Sequence, residues 1–283
     1  MTRKVNLSDG KRVLEGWSAH RDSLCRDEKQ AMARHFAMHE FLVREGTNPE
    51  TARRASVASI NVNPGTTPNI IVKEALKWIS EHPATFDITW YTPGTLVPST
   101  LLDFRQANPQ LQKAAQLFLF PGLVDVNIQS VIGPEAEEFA EGLDAGFTYA
   151  FLSCAYCDLR AGTVRFHHPT ELRLQRACAL RRARKKFLFL DPTKFEDEER
   201  PTYTIKELLS TSQSVTLYTV SSQKDDWIKT TFETLRGSTL VKPVAGTQAH
   251  DQADLKSLRL VIVGRSGKAP FVSQPLTGFL RSE

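Results

Sequence analysis

Apolar positions along this chain fall into short blocks that alternate between helical and strand-like spacing. Over residues 28–42, Met32, Phe36 and Leu42, with Ala33 and Ala37 beside them, recur at helical intervals. Ser56–Val62 is a β-rich run. Asn63, Pro64 and Gly65 break it, and residues 68–80 return to helical spacing through Ile70, Ile71, Ala75, Leu76 and Ile79. The alternation goes on with a strand over 86–91, a helix over 98–107, a short helix around Leu111 and a strand over 116–120. Residues 126–132 read as extended, and 134–142 as a glutamate-rich helix. The near-continuous apolar run 147–154 is the pattern of a parallel strand covered on both faces. A basic helix over 170–183 leads to a second such run over 186–190. Helix 205–210, strand 214–220, helix 226–236, a short strand over 239–241 and a last strand over 258–263 complete the pattern. Repeated strand-then-helix units predict an α/β fold: an open, mostly parallel sheet with helices on both faces. Residues 1–27 read as a polar N-terminal arm, 28–263 as one domain and 264–283 as a locally docked tail.

Composition narrows the setting. The hydrophobic fraction of 41% and charged fraction of 24% are ordinary for a globular chain. No apolar run reaches the length of a membrane span, and no signal-peptide core follows the first basic residues, so a cytoplasmic location is expected. The net charge of +4 suits anionic ligands. Nucleic acid is a poorer fit, because 32 acidic residues dilute 36 basic ones. Arg173, Arg176, Arg181, Arg182, Arg184, Lys185 and Lys186 crowd the basic helix and its exit, and Glu196, Asp197, Glu198 and Glu199 follow. Such blocks more often mark a solvated face or a subunit contact than a DNA surface.

Candidate chemistry is sparse. Cys154 and Cys157 form a lone CxxC without the second pair that a zinc site needs, so they read as the end of a buried strand. His35 and His39 lack a third ligand and read as packing or surface. Neither a metal nor a cofactor is expected. The turn at Gly65, Thr66 and Thr67 has more content. A glycine lets the backbone approach a ligand, and a helix N-terminus offers unpaired amides to an anion. The same residues also fit an ordinary tight turn with a threonine cap.

Several short motifs, in order, carry a family resemblance. They are Glu28-Lys29 opening the first helix, Asn63-Pro64-Gly65-Thr66-Thr67, Thr92-Pro93-Gly94, Pro121-Gly122 and Ile132-Gly133-Pro134. Phe151-Leu152-Ser153, Glu171, Arg176-Ala177 and Asp191-Pro192-Thr193-Lys194-Phe195 follow. Together they resemble the effector-binding domain of DeoR-type sugar-responsive regulators. The resemblance implies a ribose-5-phosphate isomerase/CoA-transferase-like fold. It also implies a phosphorylated small molecule at the carboxyl ends of the strands, and a homo-oligomer. The ligand-binding residues it implies are Asn63, Gly65, Thr66, Thr67, Thr92, Gly94, Gly122, Tyr156, Glu171, Arg176 and Lys194.

Two departures shape the functional expectation. Asn63 stands where the family has a carboxylate, and Ala155-Tyr156 replaces its ligand-facing Asp-Gly. About 27 residues precede the sensor-like region, too few for a helix-turn-helix head, so direct DNA binding is not expected. The reading is a stand-alone sensor for an anionic metabolite, with a protein partner to receive its state. The alternatives are an isomerase-type enzyme and an interaction protein with a degenerate pocket. For the enzyme, Asp158, Glu171 and Asp191 are candidate bases, with His167 or His168 as acid.

Overall fold

The computed structural model describes residues 25–42, 56–82, 85–143, 146–165, 172–195, 201–240, 258–264 and 271–272. Each strand–helix unit of the sequence pattern reappears there. The first helix, α1 (Arg26–His39), buries Lys29, Met32, Ala33, Phe36 and Ala37 along one stripe. Strand β1 (Ser56–Val62) leads through Gly65 into α2 (Thr66–Glu81), which buries Ile71, Val72, Ala75, Leu76 and Ile79. Strand β2 (Phe86–Thr92) alternates buried and half-buried positions and leads into α3 (Leu96–Ala107). A 3-10 turn (Pro109–Ala115) and β3 (Gln116–Leu119) complete the first half.

The second half begins with a hairpin, β4 (Leu123–Asp125) and β5 (Ser130–Ile132), followed by α4 (Pro134–Gly142). The chain then runs through β6 (Phe147–Ser153), a ribbon of β7 (Tyr156–Asp158) and β8 (Thr163–Arg165), α5 (Leu172–Leu180) and β9 (Ala183–Phe189). After β10 (Tyr203–Thr204) come α6 (Ile205–Ser210), β11 (Ser212–Val220), α7 (Asp225–Leu240), β12 (Leu258–Val263) and β13 (Phe271–Val272).

Among the described residues the main sheet has the order β13-β12-β11-β9-β6-β1-β2-β3. Every pairing in it is parallel except β12 with β13. One face carries α1, α2 and α3, packed on Ile60, Trp90, Phe151, Phe187 and Tyr218. The other face carries α5 to α7, packed on Leu152, Leu188 and Leu217, with α4 packed against α5, Phe120 and Val131. The fold is therefore an open, mostly parallel α/β sheet with helices on both faces.

Three local expectations change. Residues 126–132 are not one extended segment, because Asp125 accepts amide hydrogen bonds from Asn127 and Ile128 and turns the chain into the β4–β5 hairpin. Residues 239–240 continue α7 rather than forming a strand. The basic helix stops at Leu180, since Ala183 already pairs with Phe147 and Ser212 in the sheet. In the tail, Phe271 and Val272 pair with Ile262 and Val261. The expectations for residues 1–24, 196–199, 265–270 and 273–283 lie outside the described residues. No helix among the described residues is long and apolar enough to cross a membrane.

Candidate functional site

From β1 the chain builds outward through β2 and β3, whereas from β6 it builds the other way through β9, β11 and β12. The neighbours β1 and β6 are therefore where the strand order reverses. The loops leaving their carboxyl ends turn to opposite faces, the arrangement that in open α/β sheets forms a ligand crevice. Asn63, just past β1, donates its amide to Phe151 O at 2.9 Å and ties the two sides of the crevice together.

Gly65 shapes the β1 side. It has φ 132° and ψ 163°, a conformation essentially confined to glycine, and it is the residue that admits α2. The first-turn amides of Thr66 and Thr67 have no carbonyl one turn back to bond, and Pro68 has no amide at all. Thr67 is buried and Thr66 half-buried. The turn after β2 is clamped against this one. Thr92 donates its hydroxyl to Val62 O at 2.7 Å and accepts from the Gly94 amide at 2.9 Å. A Cβ at Gly94 would lie 3.1 Å from Pro64 Cα, so glycine is what lets the two turns meet. Gly65→Ala is expected to cost about 1–3 kcal/mol of stability, because the backbone conformation is unfavourable for any Cβ. A chemical-denaturation midpoint equal to that of the wild-type protein would contradict this assignment.

Polar groups converge from the other side. Past β9, the Asp191 carboxylate accepts from the Thr193 amide at 3.2 Å and from its hydroxyl, capping a short 3-10 turn. Lys194 Nζ lies 3.7 Å from Asp191 Oδ2 and donates to Ser153 Oγ, at the end of β6, at 2.9 Å. Helix α1 then bridges to β1. Lys29 is buried and its Nζ lies 3.4 Å from Thr66 Oγ1. One turn before it, Cys25 (φ 53°) makes a side-chain hydrogen bond to Asp191. Burial first, then Asp191 and Glu28, raise the Cys25 thiol, against an opposing pull from Lys29. Burial also pushes Cys154 up to about 12, with Lys194 opposing and Asp191 adding. Both thiols stay protonated near neutral pH, so neither is an activated nucleophile.

The structure thus gathers Asn63, Gly65, Thr66, Thr67, Thr92 and Gly94 on one side of the crevice, and Asp191 and Lys194 on the other. The other described site residues make different local contacts. Asp158 Oδ1 accepts from the Arg160 and Ala161 amides and closes the β7–β8 turn. Tyr156 pairs with Arg165 in that ribbon, and the buried Cys157 beside it bridges to Phe195, so the ribbon lies against the turn that carries Asp191 and Lys194. Gly122 (φ 133°) faces Ile132 O, which a Cβ would approach to 2.7 Å. Arg176 donates to Thr202 O and pairs with Glu207 at 2.6 Å on the α5–α6 seam. Glu171, His167 and His168 lie outside the described residues. Reasoning from sequence did not single out Lys29, Cys25 or Ser153 as site residues. A lysine on the apolar stripe of α1 was the available signal.

No family model matches this chain. No curated protein matches it either. Among solved structures, the chain is similar to ribose 5-phosphate isomerase A from Neisseria gonorrhoeae, at 9% identity and TM-score 0.34, over 60% of this chain and 54% of that one. It is similar to ribose 5-phosphate isomerase A from Methanocaldococcus jannaschii at 12% identity and TM-score 0.34, over 62% and 56%. With the ribose 5-phosphate isomerase from Plasmodium falciparum, identity is 8% and TM-score 0.35, over 87% and 97%. The chain thus spans little more than half the length of the first two. Scores this low carry no inference about chemistry.

Proposed function

We propose that the β1–β6 crevice binds a phosphorylated small molecule, such as a sugar phosphate. The observation that carries this reading is the pairing of a glycine-shaped helix N-terminus with two lysines. The 65–67 turn supplies amides and hydroxyls, and Lys29 and Lys194 supply positive charge beside the Asp191 carboxylate. Asp191 is committed to Thr193 and Lys194, and Asp158 to its own turn, which favours binding over proton abstraction. The protein then acts as a sensor domain of the DeoR-effector kind, passing its ligand state to a partner.

Thermal-shift titration with ribose 5-phosphate and glucosamine 6-phosphate tests this. A ligand roughly a hundredfold above its Kd should raise Tm by about 5 °C or more. Neutral ribose should not, and Lys194→Met should weaken binding by about tenfold through loss of one charge-assisted contact. The absence of any shift with either phosphate ester would overturn the reading.

One observation favours catalysis instead. Asp191, Lys194 and Ser153 form a contiguous acid–base group at the crevice. In aldose–ketose isomerisation a carboxylate takes the proton from the carbon beside the carbonyl. Solvent deuterium entering ribose 5-phosphate, and lost in Asp191→Asn, would identify the enzyme.

A further inference from the structure

A second cleft opens on the other edge of the sheet, away from the crevice. Phe147, the first residue of β6, donates its amide to Arg182 O at 2.9 Å, and Ala183, the first of β9, donates to Thr211 O at 3.1 Å. Arg182 and Thr211 thus mark the amino ends of the strands, and both line a cleft of about 620 Å³. That volume is within the range of small-molecule sites. Arg173, Arg176 and Arg181 line it too, with Glu141 as the lining carboxylate. Leu143, Ala177 and Leu180 give it an apolar wall. From the sheet side, the buried Lys186 donates to Thr211 Oγ1.

Not all of this charge is available. Arg173 Nε lies 3.2 Å from Glu137, and Arg176 is held by Glu207. Among the described residues Arg181 makes one long bond, 3.4 Å, to Leu143 O, which leaves most of its donors to the cleft. The side chain of Arg182 is exposed. Arg181 and Arg182, neighbours in sequence, both line the cleft beside its apolar wall, and two arginines there suit paired phosphates joined to an organic body. A concave cleft of this size suits a small molecule better than a duplex.

We propose that this amino-edge cleft is a second ligand site, for an organic diphosphate, with Arg181 and Arg182 holding the phosphates and Leu143 and Leu180 the organic part. It is independent of the crevice and of any ligand bound there. Isothermal titration calorimetry of the full chain with ADP as probe tests it. ADP should saturate at one per chain. Arg181→Gln/Arg182→Gln should weaken it by about tenfold or more, the loss expected when charge-assisted contacts to phosphate are removed. Lys194→Met, in the other site, should leave ADP affinity unchanged. If the double variant does not fold, Arg182→Gln alone, on an exposed side chain, should weaken binding in the same direction. Four results would overturn the proposal: no saturable ADP binding, equal affinity in both arginine variants, a loss in Lys194→Met instead, or tight binding of a single-stranded oligonucleotide where ADP fails.

Discussion

Phe36→Ala should destabilise the protein by about 3–5 kcal/mol, the range for truncating a buried aromatic residue. Phe36 is fully buried on α1 and is the hub of an aromatic cluster. Its ring centroid lies 4.8 Å from that of Phe187, 5.1 Å from Phe151 and 5.2 Å from Phe189, all in edge-on arrangements. Phe41 and Tyr218 are each 6.0 Å away. Apart from Phe41, just past α1, those partners come from β6, β9 and β11, so the side chain fastens α1 across three strands. The cavity would lose both transfer energy and edge-to-face contacts. A functional consequence follows as well. Cys25 caps α1 and Lys29 stands on it, so loosening α1 should also weaken the ligand binding proposed for the crevice. Urea unfolding of the variant measures the first effect. A stability loss below about 1 kcal/mol would show that α1 is not anchored this way.

Lys186→Met should do the opposite and stabilise the protein. Lys186 is fully buried on β9, between strands on both sides, and burial lowers its pKa from 10.5 to about 7. The unfolded chain therefore binds a proton that the folded chain gives up between about pH 7 and 10.5. Stability rises with pH across that window, and the penalty at neutral pH is about 4 kcal/mol. Two other sets of groups bound the useful range. His35, lowered to about 4 by burial and then by His39, has finished its own effect by about pH 7. The buried thiols of Cys154 and Cys178, raised from 9.0 to about 12, act with the opposite sign, but only from about pH 9 upward. Between about pH 7 and 8.5 the wild-type Tm should rise by about 3 °C, and that slope should vanish in Lys186→Met. The variant should also melt higher at pH 7, because methionine fills the same space without a charge to desolvate. A variant that melts lower and keeps the slope would show that Lys186 is not the group titrating.

The periodic positions made most of the fold legible. Helix spacing at Met32, Phe36 and Ala37, and the apolar run from Phe147, needed only local rules, because each element buries one stripe or both faces. Element ends were less legible where a side chain decided them. The Asp125 turn that splits 126–132 is an Asx-type hydrogen bond that apolar periodicity does not see. Lys186 was hidden for a related reason. One lysine in a run of apolar residues does not change the strand assignment, yet its burial decides the charge state.

The site divided in the same way. Gly65, Thr66, Thr67 and Lys194 stand out in sequence, because a glycine before a helix start and a lysine after an apolar strand have local meaning. That Arg176 belongs with Arg181, Arg182 and Thr211 on the amino edge, and not with Gly65, was beyond local pattern. It depends on the direction in which α5 crosses the sheet. Lys29 and Cys25 reach Thr66 and Asp191 only because the aromatic cluster under Phe36 fixes where α1 lies. The sequence by itself determined the α/β class, the order of elements and the glycine-shaped turn before α2, since these follow from spacing and backbone stereochemistry. Tertiary structure alone decided which strands are neighbours. It thereby decided which distant side chains share an edge, because strand order is set by the packing of both sheet faces and not by any one segment.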